Sequence, residues 1–327
     1  MKKIKVTLLG GGTGLSVLAR GLKSYPIDIT AIVTVADDGG STGRIRDKID
    51  MPAPGDIRNV MSAMSDIEQQ LSQLFRYRFK QDELDGHALG NLMLAAMYDM
   101  TGDFASAVRE LSKLLNIKGE IIPSTNTGPQ LVARMQDDSF IVGESYIPKV
   151  NKKIEEVYLS PKDSQATPAA IEAIKKSDLI IFGPGSLYTS IIPNILPVGM
   201  KEAIRDATGV KVFVCNIMTQ SGETNDYTVC DHIEAIEKHI GSATIDAVVL
   251  NHKEITKEIS PFYEEQGVTP VQVDEHTLFS RNIEIITHDD LCEINEEGAV
   301  RHNNKVLAEV LYNIALEVTS TIEYKKK

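Results

Sequence analysis

Tryptophan is absent from the 327 residues, aromatics make up only 6%, and the three cysteines, Cys215, Cys230 and Cys292, form no CxxC pair. So few thiols, so widely spaced, exclude a disulfide framework and a zinc knuckle, and they read as reduced, mostly buried groups. The seven histidines supply no HxxxH or HxH pair, which argues against a zinc hydrolase. Long apolar runs are missing as well. The candidates at 179–182, 212–215 and 247–250 are strand-sized, far short of the roughly 18 to 20 residues that span a bilayer. Positive charge is in deficit: 34 Lys and Arg stand against 46 Asp and Glu, a formal net charge of −12. Such a surface repels nucleic acid and anionic membranes, so any phosphate must be held by local geometry. After Met1-Lys2-Lys3 the chain passes straight into an apolar strand pattern without an h-region, and a cytoplasmic location is expected.

What is present, 42% hydrophobic and 24% charged residues, describes an ordinary globular protein. Short β-branched runs alternate with helical stretches, which predicts an α/β fold: a mostly parallel sheet covered by helices on both faces. Strands are expected at 4–9, 29–35, 117–122, 140–143, 154–159, 178–182, 210–215, 245–250, 271–273 and 283–286. Near-continuous apolar strands such as Leu179-Ile180-Ile181-Phe182 are what burial on both faces requires. An antiparallel stretch is expected within 119–159. Helices are expected at 13–23, 168–176, 199–207, 228–239 and 303–320, and a helical insertion occupies about 56–115, punctuated by turn signals at 82–86 and at Thr101-Gly102-Asp103. No repeat or flexible linker divides the chain, so one domain over 1–323 with a frayed basic tail at 324–327 is expected.

The chemistry collects where strands end. The first strand runs into Gly10-Gly11-Gly12-Thr13-Gly14 and then a helix, the form of a phosphate cradle: glycines admit an anion close to backbone amides, and a helix N-terminus adds partial positive charge. The spacing is not that of the dinucleotide fingerprint, the Walker lysine is missing, and a tight βα turn without ligand is the plainer alternative. The second strand leads to Asp37-Asp38-Gly39-Gly40-Ser41, where one acid can accept from a ribose, as in a site for NAD, or both can hold Mg²⁺ against a diphosphate. A capped helix start is the plainer alternative. Gly183-Pro184-Gly185-Ser186-Leu187-Tyr188-Thr189-Ser190 follows a third strand, and Asn216 with Gln220 follows a fourth. Because ligands in open α/β sheets sit beyond the carboxyl ends of strands, these loops should converge on one crevice, with Ser186 and Thr189 offering hydroxyls to phosphate. In the insertion, His87 and Asn91 lie four apart on one helix face and either reach the crevice or pack in the core. Asp56, Arg58 and Asn59 read as a supporting or lid element, or as a helix start. A Ser hydrolase is set aside, since Gly183-Pro184-Gly185-Ser186-Leu187 lacks the last glycine of the nucleophile elbow.

With Gly10-Gly11-Gly12-Thr13-Gly14-Leu15, Val35-Ala36-Asp37-Asp38-Gly39-Gly40-Ser41, Gly86-His87-Ala88-Leu89-Gly90-Asn91-Leu92 and Gly183 through Ser190 in this order, the chain closely resembles the YvcK-type gluconeogenesis factors, within the wider family of 2-phospho-L-lactate transferases (CofD-like). The likeness runs from about residue 4 to about 304, reinforced by Asn216-Ile217-Met218-Thr219-Gln220, Val273-Asp274-Glu275-His276 and Arg301-His302-Asn303. It implies a Rossmann-like three-layer α/β/α fold and, in the YvcK branch, binding of a UDP-sugar such as UDP-N-acetylglucosamine in a regulator of central carbon and peptidoglycan-precursor metabolism, needed for normal cell shape on gluconeogenic carbon. In the transferase branch it implies transfer of a phospholactyl group from a nucleotide diphosphate to a deazaflavin precursor, with Mg²⁺ at Asp37 and Asp38; Asp38, His87 and Asp56 are then the candidates to assist transfer. Low aromatic content gives no pocket signature for a flat deazaflavin and favours the regulator.

The expected ligand site therefore comprises Gly11, Gly12, Thr13, Gly14, Asp37, Asp38, Gly39, Gly40, Ser41, His87, Asn91, Gly185, Ser186, Leu187, Thr189 and Asn216. The resemblance adds Arg301 to fork diphosphate oxygens and Tyr263 to stack on the base, with a core or lid aromatic as the equal alternative for Tyr263. No cofactor is required on this reading. A UDP-sugar is the expected ligand, a protein partner from amino-sugar synthesis follows for a regulator, and assembly into a homo-oligomer is expected.

Overall fold

A computed structural model describes residues 3–46, 48–66, 68–81, 84–255, 263, 267–295 and 298–325. At its centre lies β1 (Ile4–Gly10), whose apolar residues are buried on both sides, as the sequence pattern requires. It pairs in parallel with β2 (Ile27–Val33), register Ile4 to Ile27, and β2 pairs with β3 (Glu120–Pro123). On its other side β1 meets β7 (Leu179–Phe182), followed by β8 (Val210–Val214), β9 (Ala247–Val249) and β10 (Glu284–Ile286), all parallel. The seven-stranded order β10-β9-β8-β7-β1-β2-β3 reverses direction between β1 and β7. That switch point opens a crevice beyond the carboxyl ends of those two strands.

Alternation along each strand feeds two cores. Val6, Leu8, Ile29, Ala31, Ile121 and Ile181 face one layer, with α1 (Gly12–Leu22), α3 (Gly55–Met64), Leu94 of α5 (Leu89–Thr101), Phe104 of α6 (Phe104–Leu114) and the C-terminal helix Asn304–Lys325. Leu9, Ile32, Ile122, Ile180 and Phe182 face the other, with α7 (Pro168–Lys176), α8 (Met200–Asp206) and α9 (Val229–Ile240). The three-layer α/β/α architecture follows. The expected helical segment is α3, α4 (Glu68–Arg76), α5 and α6, which connects β2 to β3. Its turn at Thr101-Gly102-Asp103 works as the residues suggest: Gly102 ends α5 in the left-handed region, and Asp103 caps α6 by accepting from the Ser106 amide at 2.7 Å. Asp103→Ala should cost about 1 kcal/mol of stability, read as a lower urea midpoint at unchanged slope.

The antiparallel expectation holds in part. β4 (Gln130–Met135) lies between β5 (Phe140–Val142) and β6 (Ile154–Ser160) in a separate three-stranded sheet, whereas β3 joins the main sheet. The strand expected at 271–273 is a correction: this segment makes isolated bridges at Gln272 and next to it at Pro270 instead of a ladder. A short helix, α2 (Gly40–Arg46), forms directly after the two acids, and an antiparallel hairpin, β11 (Cys292–Ile294) with β12 (Val300–His302), precedes the C-terminal helix. That helix continues to Lys325, past the expected end at 320 and into the tail expected to fray; Lys326 and Lys327 lie outside the described residues. No helix of the described residues is long and apolar enough to cross a membrane.

Candidate functional site

The loop after β1 carries its glycines for two different reasons. Gly12 takes a positive φ of 61° at the start of α1, a conformation that suits a residue without Cβ. Gly11 and Gly14 are demanded by neighbours: a Cβ on Gly11 would stand 2.4 Å from Asp56 Oδ2, and one on Gly14 would stand 2.4 Å from the Pro184 carbonyl oxygen. The first and third loops are thus packed backbone to backbone, and Thr13 sits between those glycines in the first turn of α1. The N-cap position, Gly11, offers no side chain to that helix, and one donor of its first turn, the Gly12 amide, is taken by the Asp56 carboxylate.

Asp37 and Asp38 end the second loop. Asp37 accepts from the Gly39 amide at 2.8 Å, and Asp38 accepts from the Ser145 amide at 2.9 Å across 107 residues of sequence. That long contact brings in Glu144, which sequence reading missed. Carboxylate oxygens of Asp37, Asp38 and Glu144 lie within 4.8 Å of one another, all three half-buried. Hard oxygen donors at such spacing suit a divalent cation such as Mg²⁺ or Ca²⁺, bound at about 2.0–2.6 Å from each oxygen. Burial, then the negative charges of Asp37, Asp56 and Asp38, push the Glu144 carboxyl up to about 8. Asp56, in the first turn of α3, accepts from the Gly12 amide, and burial followed by the Asp37 charge raises it to about 7. It therefore supports the glycine loop from beneath. Arg58 beside it donates to Asn59 at 2.8 Å and offsets part of the acidic field.

Gly40 and Ser41 open α2. The Ser41 hydroxyl accepts from the Ala88 amide and from Asn91 Nδ2, each at 3.2 Å, and lies 3.4 Å from His87 Nδ1. Ser41, His87 and Asn91 are hence brought together, all buried, and burial with the nearby Arg44 and Lys48 charges lowers the His87 pKa. Asn91 Oδ1 is buried without a partner among the described residues.

The third and fourth loops are latched to each other. Asn216 Nδ2 donates to the Gly185 carbonyl at 2.8 Å, the Gly185 amide returns to Asn216 Oδ1 at 3.4 Å, and Gln220 Nε2 donates to the Ser186 hydroxyl at 2.8 Å. Leu187 and Thr189 stand apart from the crevice lining. Leu187 is fully buried in the core, and the Thr189 hydroxyl donates to Glu223 at 2.8 Å, a buried acid that also takes the Tyr188 amide at 3.0 Å. Burial raises the Glu223 pKa.

The C-terminal candidates separate. Tyr263 is buried beside Ile217, Val268 and Val300, and its hydroxyl accepts from the Val300 amide at 2.7 Å, so its ring packs in a small core. Arg301 is exposed on β12 and donates to its neighbour's carbonyl, that of Val300, at 2.9 Å. The hairpin is held near the end of β8 by His302, whose ring bonds the Cys215 backbone and which burial lowers to about 4, leaving it neutral.

Against this geometry, the family model for the 2-phospho-L-lactate transferase CofD matches residues 6–291. A gluconeogenesis factor of Halalkalibacterium halodurans is 46% identical, covering 99% of this chain and 100% of that protein. One from Bacillus subtilis is 46% identical over 97% of this chain and 99% of its own. Among solved structures, a UPF0052-family protein of Bacillus halodurans superposes with a TM-score of 0.90 at 47% identity, covering 95% of this chain and 99% of that one.

Proposed function

This chain belongs to the CofD family, and from that premise we propose that it is a regulator that binds a nucleotide sugar of the UDP-N-acetylglucosamine type at the crevice between β1 and β7. The observation that carries the reading is the meeting of the glycine loop at the N-terminus of α1 with a carboxylate triad at a topological switch point. The first suits a diphosphate, and the second suits a divalent cation that bridges one. Gly185 and Ser186, latched by Asn216 and Gln220, form the facing wall. A cation there would be held by Asp37, Asp38 and Glu144, and it would supply charge neutralisation to the diphosphate. The name borne by the relatives supports a role in growth on gluconeogenic carbon. Its output is then a change of shape read by a partner, for which an enzyme of amino-sugar synthesis is the chemical fit, with effects on envelope precursors and cell shape in a cytoplasmic setting.

The family supports a second reading, a phospholactyl-type transferase in which Asp38, Asp56 or His87 assists transfer. The regulator is preferred because each of these groups has a structural occupation: Asp56 on Gly12, Asp38 on Ser145, His87 beside Ser41. A calorimetric screen of UDP-sugars, nucleoside diphosphates and NAD with Mg²⁺, then a turnover assay on whatever binds, tests both. Binding of UDP-N-acetylglucosamine without turnover is expected. Turnover with a deazaflavin acceptor, lost in Asp38→Asn, would overturn the regulator, and absence of nucleotide binding would remove both readings.

Arg301→Ala is expected to weaken UDP-N-acetylglucosamine binding about tenfold by loss of a charge-assisted contact at the rim. Tyr263→Ala should instead lower stability together with affinity, because the ring is a core element. Unchanged affinity in both variants removes the hairpin from the site. Assembly into a homodimer or larger oligomer is part of the proposal, and light scattering that finds only monomer at micromolar concentration rejects it.

A further inference from the structure

The sheet face that delivers Leu9, Ile32 and Ile122 into the core near the carboxyl edge changes character toward the amino edge. Alternation and register put Lys5 and Thr7 of β1, Asp28 and Thr30 of β2, and Glu120 of β3 on that same face. Together with α7 they border a cavity of about 700 Å³, on the opposite rim from the glycine loops. Its volume falls in the range of small-molecule sites. Five lysines line it against three carboxylates, in a chain whose net charge is −12.

Four of those lysines are engaged. Lys3 pairs with Asp28 at 3.3 Å, Lys118 with Asp66 at 2.7 Å and Lys176 with Glu172, while Lys23 donates to the Ala63 and Ser65 carbonyls. Lys5 differs. Lys5 as a residue is half-buried on the central strand; its ammonium has no hydrogen-bond acceptor or ion-pair partner among the described residues, and the acid whose field it feels, Glu172, is occupied by Lys176. Its partner in register on β2, Asp28, is already paired with Lys3, so an incoming anion supplies the counter-charge that Lys5 lacks. The exposed pairs of Lys3 and Lys176 are weak, so both ammonium groups are free to turn onto the same ligand.

We infer that this amino-edge cleft is a second binding site, for a small polyanion carrying carboxylate or phosphate groups, with Lys5 as its central contact. The inference stands apart from the nucleotide reading. Its test is calorimetry on the full chain in EDTA, with citrate as the carboxylate probe and pyrophosphate as the phosphate probe, on wild type, Lys5→Gln and Asp38→Asn. At least one probe is expected to bind wild type, about tenfold more weakly in Lys5→Gln and unchanged in Asp38→Asn. Citrate alone assigns the carboxylate source, pyrophosphate alone the phosphate source. Equal binding in Lys5→Gln, binding lost only in Asp38→Asn, or no binding of either probe at millimolar concentration overturns the site. Should Lys5→Gln fail to fold by circular dichroism, acylation of the wild-type lysines read by mass spectrometry decides. Protection of Lys5 by the bound probe supports the site, and unprotected Lys5 under a saturating probe overturns it.

Discussion

Replacing Asp38 by Asn is expected to lower nucleotide affinity in Mg²⁺ by about two orders of magnitude, roughly 2.7 kcal/mol, and to leave affinity in EDTA nearly unchanged. Asn keeps an oxygen to accept the Ser145 amide, so the turn that carries Glu144 stays in place. What is lost is one of three negative charges within 4.8 Å of one another, and with it a hard oxygen donor for a divalent cation. The free protein should not be weakened, because removing a charge from a crowded acidic cluster relieves repulsion felt by Glu144. Calorimetry with UDP-N-acetylglucosamine in Mg²⁺ and in EDTA separates the two terms. Equal affinity of wild type and variant in Mg²⁺ would show that the triad is not the cation site.

The parts of this architecture that sequence revealed are those set by neighbours in the chain. Leu179-Ile180-Ile181-Phe182 reads as a strand buried on both faces and is one, between β1 and β8. The helix at 168–176 has the bounds expected of it because Thr167 accepts from the Ala170 amide and Pro168 occupies the first turn. β4 was missed although Thr127-Gly128-Pro129 and Asp137-Asp138-Ser139 frame it: Gln130 through Met135 take their partners from β5 and β6, with a register shift at Arg134 and Met135. Residues 271–273 alternate like a strand yet make only isolated bridges, so pattern alone overstated them. The same limit hid Glu144. A single acid in a loop carries no signal until the antiparallel sheet folds its turn back onto Asp38. The glycine loop was legible, but its composition overstated the evidence for a ligand, since Gly11 and Gly14 are fixed by Asp56 and Pro184 whether or not an anion binds.

In metal-free buffer the protein is expected to lose about 2–4 kcal/mol of stability as pH rises from about 5 to about 9, a loss that Mg²⁺ largely restores. The sign follows from the two raised carboxyls. A native pKa above the unfolded value, near 4 for both residue types, means that the folded state binds more protons in between. The favourable contribution is full below the unfolded value and is lost as pH climbs through about 7 for Asp56 and about 8 for Glu144. Linkage allows about 1.4 kcal/mol per pH unit for each group; mutual repulsion and partial exposure bring the total down to the stated range. Glu144→Gln keeps the side chain's size and removes the ionisation, so it should be more stable than wild type at pH about 9 without metal and should show a shallower pH dependence. Asp56 then accounts for the slope that remains. A divalent cation acts against the same repulsion by binding the deprotonated form, so its stabilising effect should grow with pH. Urea midpoints at both pH extremes, with Mg²⁺ and with EDTA, read all of these terms. Identical slopes in wild type and Glu144→Gln would mean that this carboxyl is not held protonated by its acidic neighbours, and the cation site would lose its third ligand.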